Sequence, residues 1–168
     1  VQEQNITISD SADSASSKIR LTGDNDITYH DGLNGDGSDG SSADNITAFV
    51  QADLQFEGSN FAIRVENGAS DVDLDISGTI TDDNGGARNF SKTLSGTLKL
   101  SATDNVYNIL FIDDGTVQIT NAGALGDNDI SFGQATTDGV LEYVDGSGDT
   151  ISNQVRIRQS DAADIGTG

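Results

Sequence analysis

The sequence predicts an all-β protein, built as a right-handed parallel β-helix (a β-solenoid), with an antiparallel β-sandwich as the alternative. Three observations point there. Apolar residues recur in short groups of period two, the mark of a half-buried strand, and no i, i+3, i+4, i+7 stripe lasts three turns. Of the 28 acidic residues 24 are Asp and only Glu3, Glu57, Glu66 and Glu142 are Glu; Asp hydrogen-bonds its own backbone and favours turns, whereas Glu favours helices. Turn signals then punctuate the strands: Asp31-Gly32, Asn34-Gly35, Asn67-Gly68, Asn84-Gly85-Gly86, Asp114-Gly115 and Asp145-Gly146.

In chain order the alternating groups are Ile6/Ile8, Ile19/Leu21, Ile27/Tyr29, Leu54/Phe56, Phe61/Ile63/Val65, Val72/Leu74/Ile76, Leu98/Leu100, Val117/Ile119, Ile130/Phe132, Leu141/Tyr143 and Val155/Ile157. The cleanest, Asp71-Val72-Asp73-Leu74-Asp75-Ile76, predicts Val, Leu and Ile inward and three Asp outward. Asp10 to Lys18 and Gln159 to Asp164 carry no apolar stripe and read as loops. The solenoid is preferred over the sandwich because the strands are very short and aromatics are scarce, with six Phe, three Tyr and no Trp. An internal echo, Gly23-Asp24-Asn25-Asp26-Ile27 against Gly126-Asp127-Asn128-Asp129-Ile130, points the same way. At roughly 20–25 residues per coil, the scale of other short repeats, residues 1–168 form a single solenoid segment.

Composition narrows the function. Eight Lys+Arg against 28 Asp+Glu give a net charge of −20, which argues against nucleic acid, since phosphate contacts need Lys and Arg. No apolar run approaches the ~18 residues of a membrane span. There is no Cys, hence no disulfide, no thiolate zinc site and no cysteine nucleophile. Met is also absent, so the expectation is a chain released from a leader or cut from a longer polypeptide. The composition suits an exported protein working outside the cell.

From Leu94 onward a resemblance is readable. Leu94-Ser95-Gly96-Thr97-Leu98-Lys99-Leu100 is followed by Asn105-Val106-Tyr107-Asn108, then Gly115-Thr116-Val117-Gln118-Ile119-Thr120. After these come Asn121-Ala122-Gly123-Ala124-Leu125-Gly126, Ile130-Ser131-Phe132-Gly133 and Gly139-Val140-Leu141-Glu142-Tyr143. This order resembles the autotransporter-associated β-strand repeat of bacterial surface proteins. It departs at Asn108 to Asp114, where the family's spacer usually carries a Gly-Gly-Thr-Thr segment. The resemblance implies a right-handed parallel β-helix displayed as a passenger, adhesin or surface filament. It carries no catalytic residues.

Candidate sites are few. The loop at residues 31–45, rich in Gly and Asp, approaches a calcium-binding nonapeptide, with Gly35, Gly37 and Asp39 in register. Asp36, Asp39 and Asp44 are the candidate calcium ligands, because calcium takes six to eight oxygens; a surface insertion is the favoured reading, since Asn34 and Ser41 break the pattern. His30 beside Asp31, and the pairs Asp82/Asp83 and Asp113/Asp114, read as strand-end and turn residues more readily than as acid–base machinery. Asn5, Asn45 and Asn89 sit in Asn-x-Ser/Thr triplets. The expected function is therefore structural or adhesive and not enzymatic, with copies of the chain or further repeats as partners, and surface polysaccharide as another. A polysaccharide lyase or hydrolase and a pilin-like strand-donating subunit are the alternatives.

Overall fold

The computed structural model describes residues 18–23, 26–30, 47–58, 60–82, 88–126, 129–133, 138–144 and 148–158. Among these residues fourteen strands lie in chain order, the first seven being β1 (Lys18–Gly23), β2 (Ile27–Tyr29), β3 (Ala48–Val50), β4 (Asp53–Gly58), β5 (Phe61–Val65), β6 (Leu74–Ile76) and β7 (Ile80–Asp82). β8 (Phe90–Thr93), β9 (Thr97–Leu100), β10 (Leu110–Ile112), β11 (Gly115–Ile119), β12 (Ile130–Phe132), β13 (Gly139–Tyr143) and β14 (Val155–Ile157) follow, with one 3₁₀ turn at Ala122–Leu125.

Every pairing between these strands is parallel, and partners come from successive coils. Three sheets result. Sheet A is β1-β4-β7, sheet B is β2-β5-β8-β10-β12-β14, and sheet C is β3-β6-β9-β11-β13. This is the architecture of a parallel β-helix. The antiparallel sandwich is not formed, because no described strand pairs with its sequence neighbour. The coil length falls from 36 residues between Ile27 and Ile63 to 20 between Phe90, Leu110 and Ile130, and rises again to 25 between Ile130 and Val155. The predicted 20–25 residues thus describe the C-terminal coils and underestimate the first ones.

Parallel pairing in register stacks like residues above one another, and the core is a set of columns. On sheet B one inward column is Phe61, Phe90, Leu110, Ile130 and Val155. Another is Ile27, Ile63, Lys92, Ile112, Phe132 and Ile157. On sheet C the columns are Ala48, Leu74, Leu98, Val117 and Leu141, and Val50, Ile76, Leu100, Ile119 and Tyr143. In the middle coils these apolar residues are fully buried. Where sheet A meets sheet B the rings stack as well: Phe56 on Phe61 at 3.5 Å between centroids, Phe61 on Phe90 at 5.2 Å, and Tyr107 edge-on to Phe90 at 5.3 Å.

Four strands escape the alternation rule, and each has a physical reason. In β3 and β10 an outward Phe (Phe49, Phe111) hides the period; in β7 the second buried position is Asp82; in β8 the inward position is occupied by Lys92. Asp73 corrects a stated expectation. It is buried, not outward, because strand geometry begins only at Leu74 and the preceding turn folds the carboxylate in.

Sheet A stops at β7. Beyond it the described residues make a single parallel bridge, Thr81 to Val106, and side chains replace the ladder. Asn105 Oδ1 accepts from Ile80 N at 2.8 Å, while its Nδ2 donates to Ala124 O at 2.8 Å. Tyr107 OH donates to the same carbonyl at 2.9 Å. Asn121 caps the 3₁₀ turn by accepting from Ala124 N at 3.0 Å and donates to Ser101 O at 3.0 Å. Three successive coils are therefore tied together by amides and one phenol where the sheet has ended. Burial pushes the Tyr107 hydroxyl far above its ordinary pKa, so it stays a neutral donor.

Candidate functional site

Two places combine unusual chemistry with unusual exposure: the corner between sheets B and C, and the C-terminal end of the stack.

At the corner, Lys92 occupies a core column between Ile63 and Ile112, fully buried. Its Nζ donates to Thr93 O at 3.2 Å, Leu94 O at 2.5 Å and Asp114 O at 3.0 Å. The ammonium has three N–H groups, and each reaches a carbonyl, two from its own turn and one from the next coil's. Desolvation by burial lowers its pKa from 10.5 to about 8, opposed by the carboxylates of Asp114 and Asp73. Asp73 accepts from Gly68 N at 2.7 Å and Thr97 N at 2.7 Å, which closes the corner of its own coil onto the next. The turns here pack backbone on backbone. Leu94 takes the left-handed conformation, φ 66°, a strained one for a branched residue. Gly115, at φ 68°, allows the next turn to sit where any Cβ would lie 2.5 Å from Gly96 O and Leu94 O.

This arrangement makes a structural pin. A nucleophilic lysine needs a path to a substrate, and all three protons of Lys92 are already held inside the stack. Alternation alone, Phe90 inward and therefore Lys92 inward, is the signal by which the sequence could have revealed it.

The outer face of sheet B carries three Arg–Asp pairs, each linking different coils. Arg64 meets Asp26 at 2.7 Å, Arg156 meets Asp129 and Arg158 meets Asp113. Arg158 also lies over the Phe111 ring, 4.3 Å from its centroid. On sheet C, Lys99 pairs with Asp75 at 3.1 Å. The acidic face is thus partly neutralised by bridges that run along the stacking axis.

At the C-terminal end of the stack β14 pairs on one side only among the described residues. Val155 and Ile157 belong to the buried columns of sheet B, yet are 54% and 85% exposed because no described strand follows β14.

Of the predicted site residues, Asp36, Asp39 and Asp44, with the whole loop at residues 31–45, lie outside the described residues. So do Asn5, Asn45 and Asp83. No group of three or more His, Asp or Glu able to hold a metal ion occurs among the described residues. His30 Nδ1 sits 2.9 Å from Glu66 Oε1 on the surface. Asp82 accepts from Arg88 N at 2.8 Å, and Asp114 Oδ1 from Gly115 N at 2.8 Å, both as turn carboxylates. Asn89 belongs to an asparagine ladder: Asn60 Oδ1 accepts from Asn89 N at 2.9 Å, and Asn108 Nδ2 donates to Asn89 Oδ1 at 3.0 Å. No described helix is long and apolar enough to cross a membrane.

No family model, no curated protein and no solved structure matches this chain. The class rests on the fold itself, a parallel β-helix.

Proposed function

We infer that this chain is a structural and adhesive module of an extracellular bacterial surface protein or filament, in which β-coils stack end to end. The observation that carries this reading is the last described strand, β14, where core columns of sheet B reach exposed Val155 and Ile157. Solenoid coils gain stability from their neighbours, so an apolar edge strand calls for another layer. Further support comes from the resemblance to the autotransporter-associated repeat. Its Asn-Tyr spacer and its Asn-Ala-x-Ala-Leu-Gly turn meet here through Ala124 O, so the quoted segments have a joint structural purpose. Surface polysaccharide is the proposed adhesion target and calcium at the loop of residues 31–45 the proposed cofactor. The polysaccharide-cleaving alternative has less support, because the carboxylates on the outer face of sheet B are engaged by arginines.

Immunogold electron microscopy of intact cells, with antibody raised against this chain, tests the reading. Gold decorating thin surface fibres is the expected result. Labelling confined to the interior of broken cells would reject it.

A further inference from the structure

We propose that Asn67 is a self-modification site: the backbone nitrogen of Gly68 attacks the Asn67 side-chain amide, with the carboxylate of Asp73 as base, and residue 67 becomes aspartate or isoaspartate. The chemistry needs only the fold, and stands apart from the surface role inferred above.

Asn67-Gly68 follows β5, whose last residue is Val65, and precedes β6, which starts at Leu74. Neither residue belongs to a strand, and Asn67 is exposed. Gly68 has no side chain to obstruct the approach of its nitrogen to the preceding Cγ, and its backbone reaches conformations closed to other residues. A second observation is the partner of that nitrogen. Gly68 N donates to Asp73 Oδ1 at 2.7 Å, inside the ~2.6–3.2 Å reach of a general base. Asp73 is fully buried, and its Oδ2 is held by Thr97 N at 2.7 Å, so Oδ1 stays aimed at the Gly68 proton. The N–H lies in the peptide plane, whereas attack uses the lone pair above that plane. Base and electrophilic carbon therefore approach the nitrogen from different directions.

As the Gly68 nitrogen bonds to Asn67 Cγ, its proton passes to Asp73. The Cγ–Nδ2 bond then breaks, and Nδ2 takes that proton and leaves as ammonia, which restores the carboxylate. A cyclic succinimide remains. Water opens it to aspartate when the new Cγ–N bond is hydrolysed, and to isoaspartate when the original main-chain bond is. Either product adds a negative charge to a chain already at −20. Isoaspartate also lengthens the main chain by a methylene, at the corner where Asp73 ties Gly68 to Thr97.

Tandem mass spectrometry of the full chain after incubation at neutral pH decides the matter. The tryptic peptide spanning 65–88 holds both Asn67 and Asn84, and its fragments tell the two apart. Asn67 in the folded chain should deamidate at least ~10-fold faster than in the chain unfolded by guanidinium chloride, a modest part of the ~10²–10⁴ that a positioned base supplies. Asp73→Asn, whose amide cannot take the proton, should bring the folded rate down to the unfolded one, with circular dichroism to show that the fold is kept. Should that variant lose its fold, the comparison of folded and unfolded wild type decides alone. Product that resolves into aspartate and isoaspartate peptides supports the succinimide route; aspartate alone means direct hydrolysis by water and overturns attack by Gly68. An Asn67 that survives as long folded as unfolded, or a folded Asp73→Asn that converts at the wild-type rate, would overturn the proposal.

Discussion

Replacing Lys92 by Met removes a buried ammonium from a column that is otherwise apolar in the middle of the stack. The lysine's pKa falls from 10.5 to about 8 on folding, and at ~1.36 kcal/mol per pKa unit this is a penalty of about 3 kcal/mol at neutral pH. The sign follows from proton counting. Between pH 8 and 10.5 the unfolded chain keeps the proton that the folded chain has lost, so wild-type stability rises with pH across that window. Below pH 8 both states hold the proton and the full penalty remains. Tyr107 acts oppositely above pH 10, because its raised pKa lets only the unfolded state ionise there. Met brings no charge but leaves the carbonyls of Thr93, Leu94 and Asp114 without their donor, at about 1 kcal/mol each. The two effects nearly cancel at pH 7. The pH slope is what separates them: urea unfolding from pH 7 to 9.8 should show the wild type gaining about 2–3 kcal/mol relative to Lys92→Met. Parallel pH profiles for the two proteins would refute the buried-ammonium account.

Leu74→Asp should open the middle of the stack at a cost of several kcal/mol, as an unpaired carboxylate enters a buried column; a melting temperature within a few degrees of wild type would contradict the register of sheet C. Asp73→Asn, which outward placement would have made harmless, should instead cost about 1–3 kcal/mol, because the amide NH₂ faces one of the two N–H donors from Gly68 and Thr97. Tyr107→Phe should lose about 1 kcal/mol with the bond to Ala124 O, measured by chemical denaturation, and no loss would show that bond to be dispensable. Calcium should raise the thermal midpoint by screening the net charge of −20; an excess over sodium chloride at matched ionic strength, abolished in Asp36→Asn/Asp39→Asn/Asp44→Asn, would place a specific site in the 31–45 loop.

What the sequence by itself determined was strand chemistry. A period of two needs only that one face be buried, and turns rich in Asp, Asn and Gly need only local hydrogen bonding and backbone freedom. Ile19/Leu21, Phe61/Ile63/Val65 and Val117/Ile119 were therefore readable as β1, β5 and β11 without knowledge of any neighbour. The same alternation serves parallel and antiparallel sheets alike. The choice between them depends on partners 19 to 36 residues away, such as Val117 for Leu98 and Ile63 for Ile27, and only the tertiary structure decides it. Tertiary structure also decided the exceptions. Lys92 is tolerated inside because three carbonyls from two stacked turns converge on it; Asp73 turns inward because two backbone N–H groups from different turns need an acceptor; Phe111, outward by alternation between Leu110 and Ile112, has its ring covered by Arg158, distant in sequence. In each case the energy that fixes the side chain comes from another coil, and stacking order is a property that local pattern does not encode.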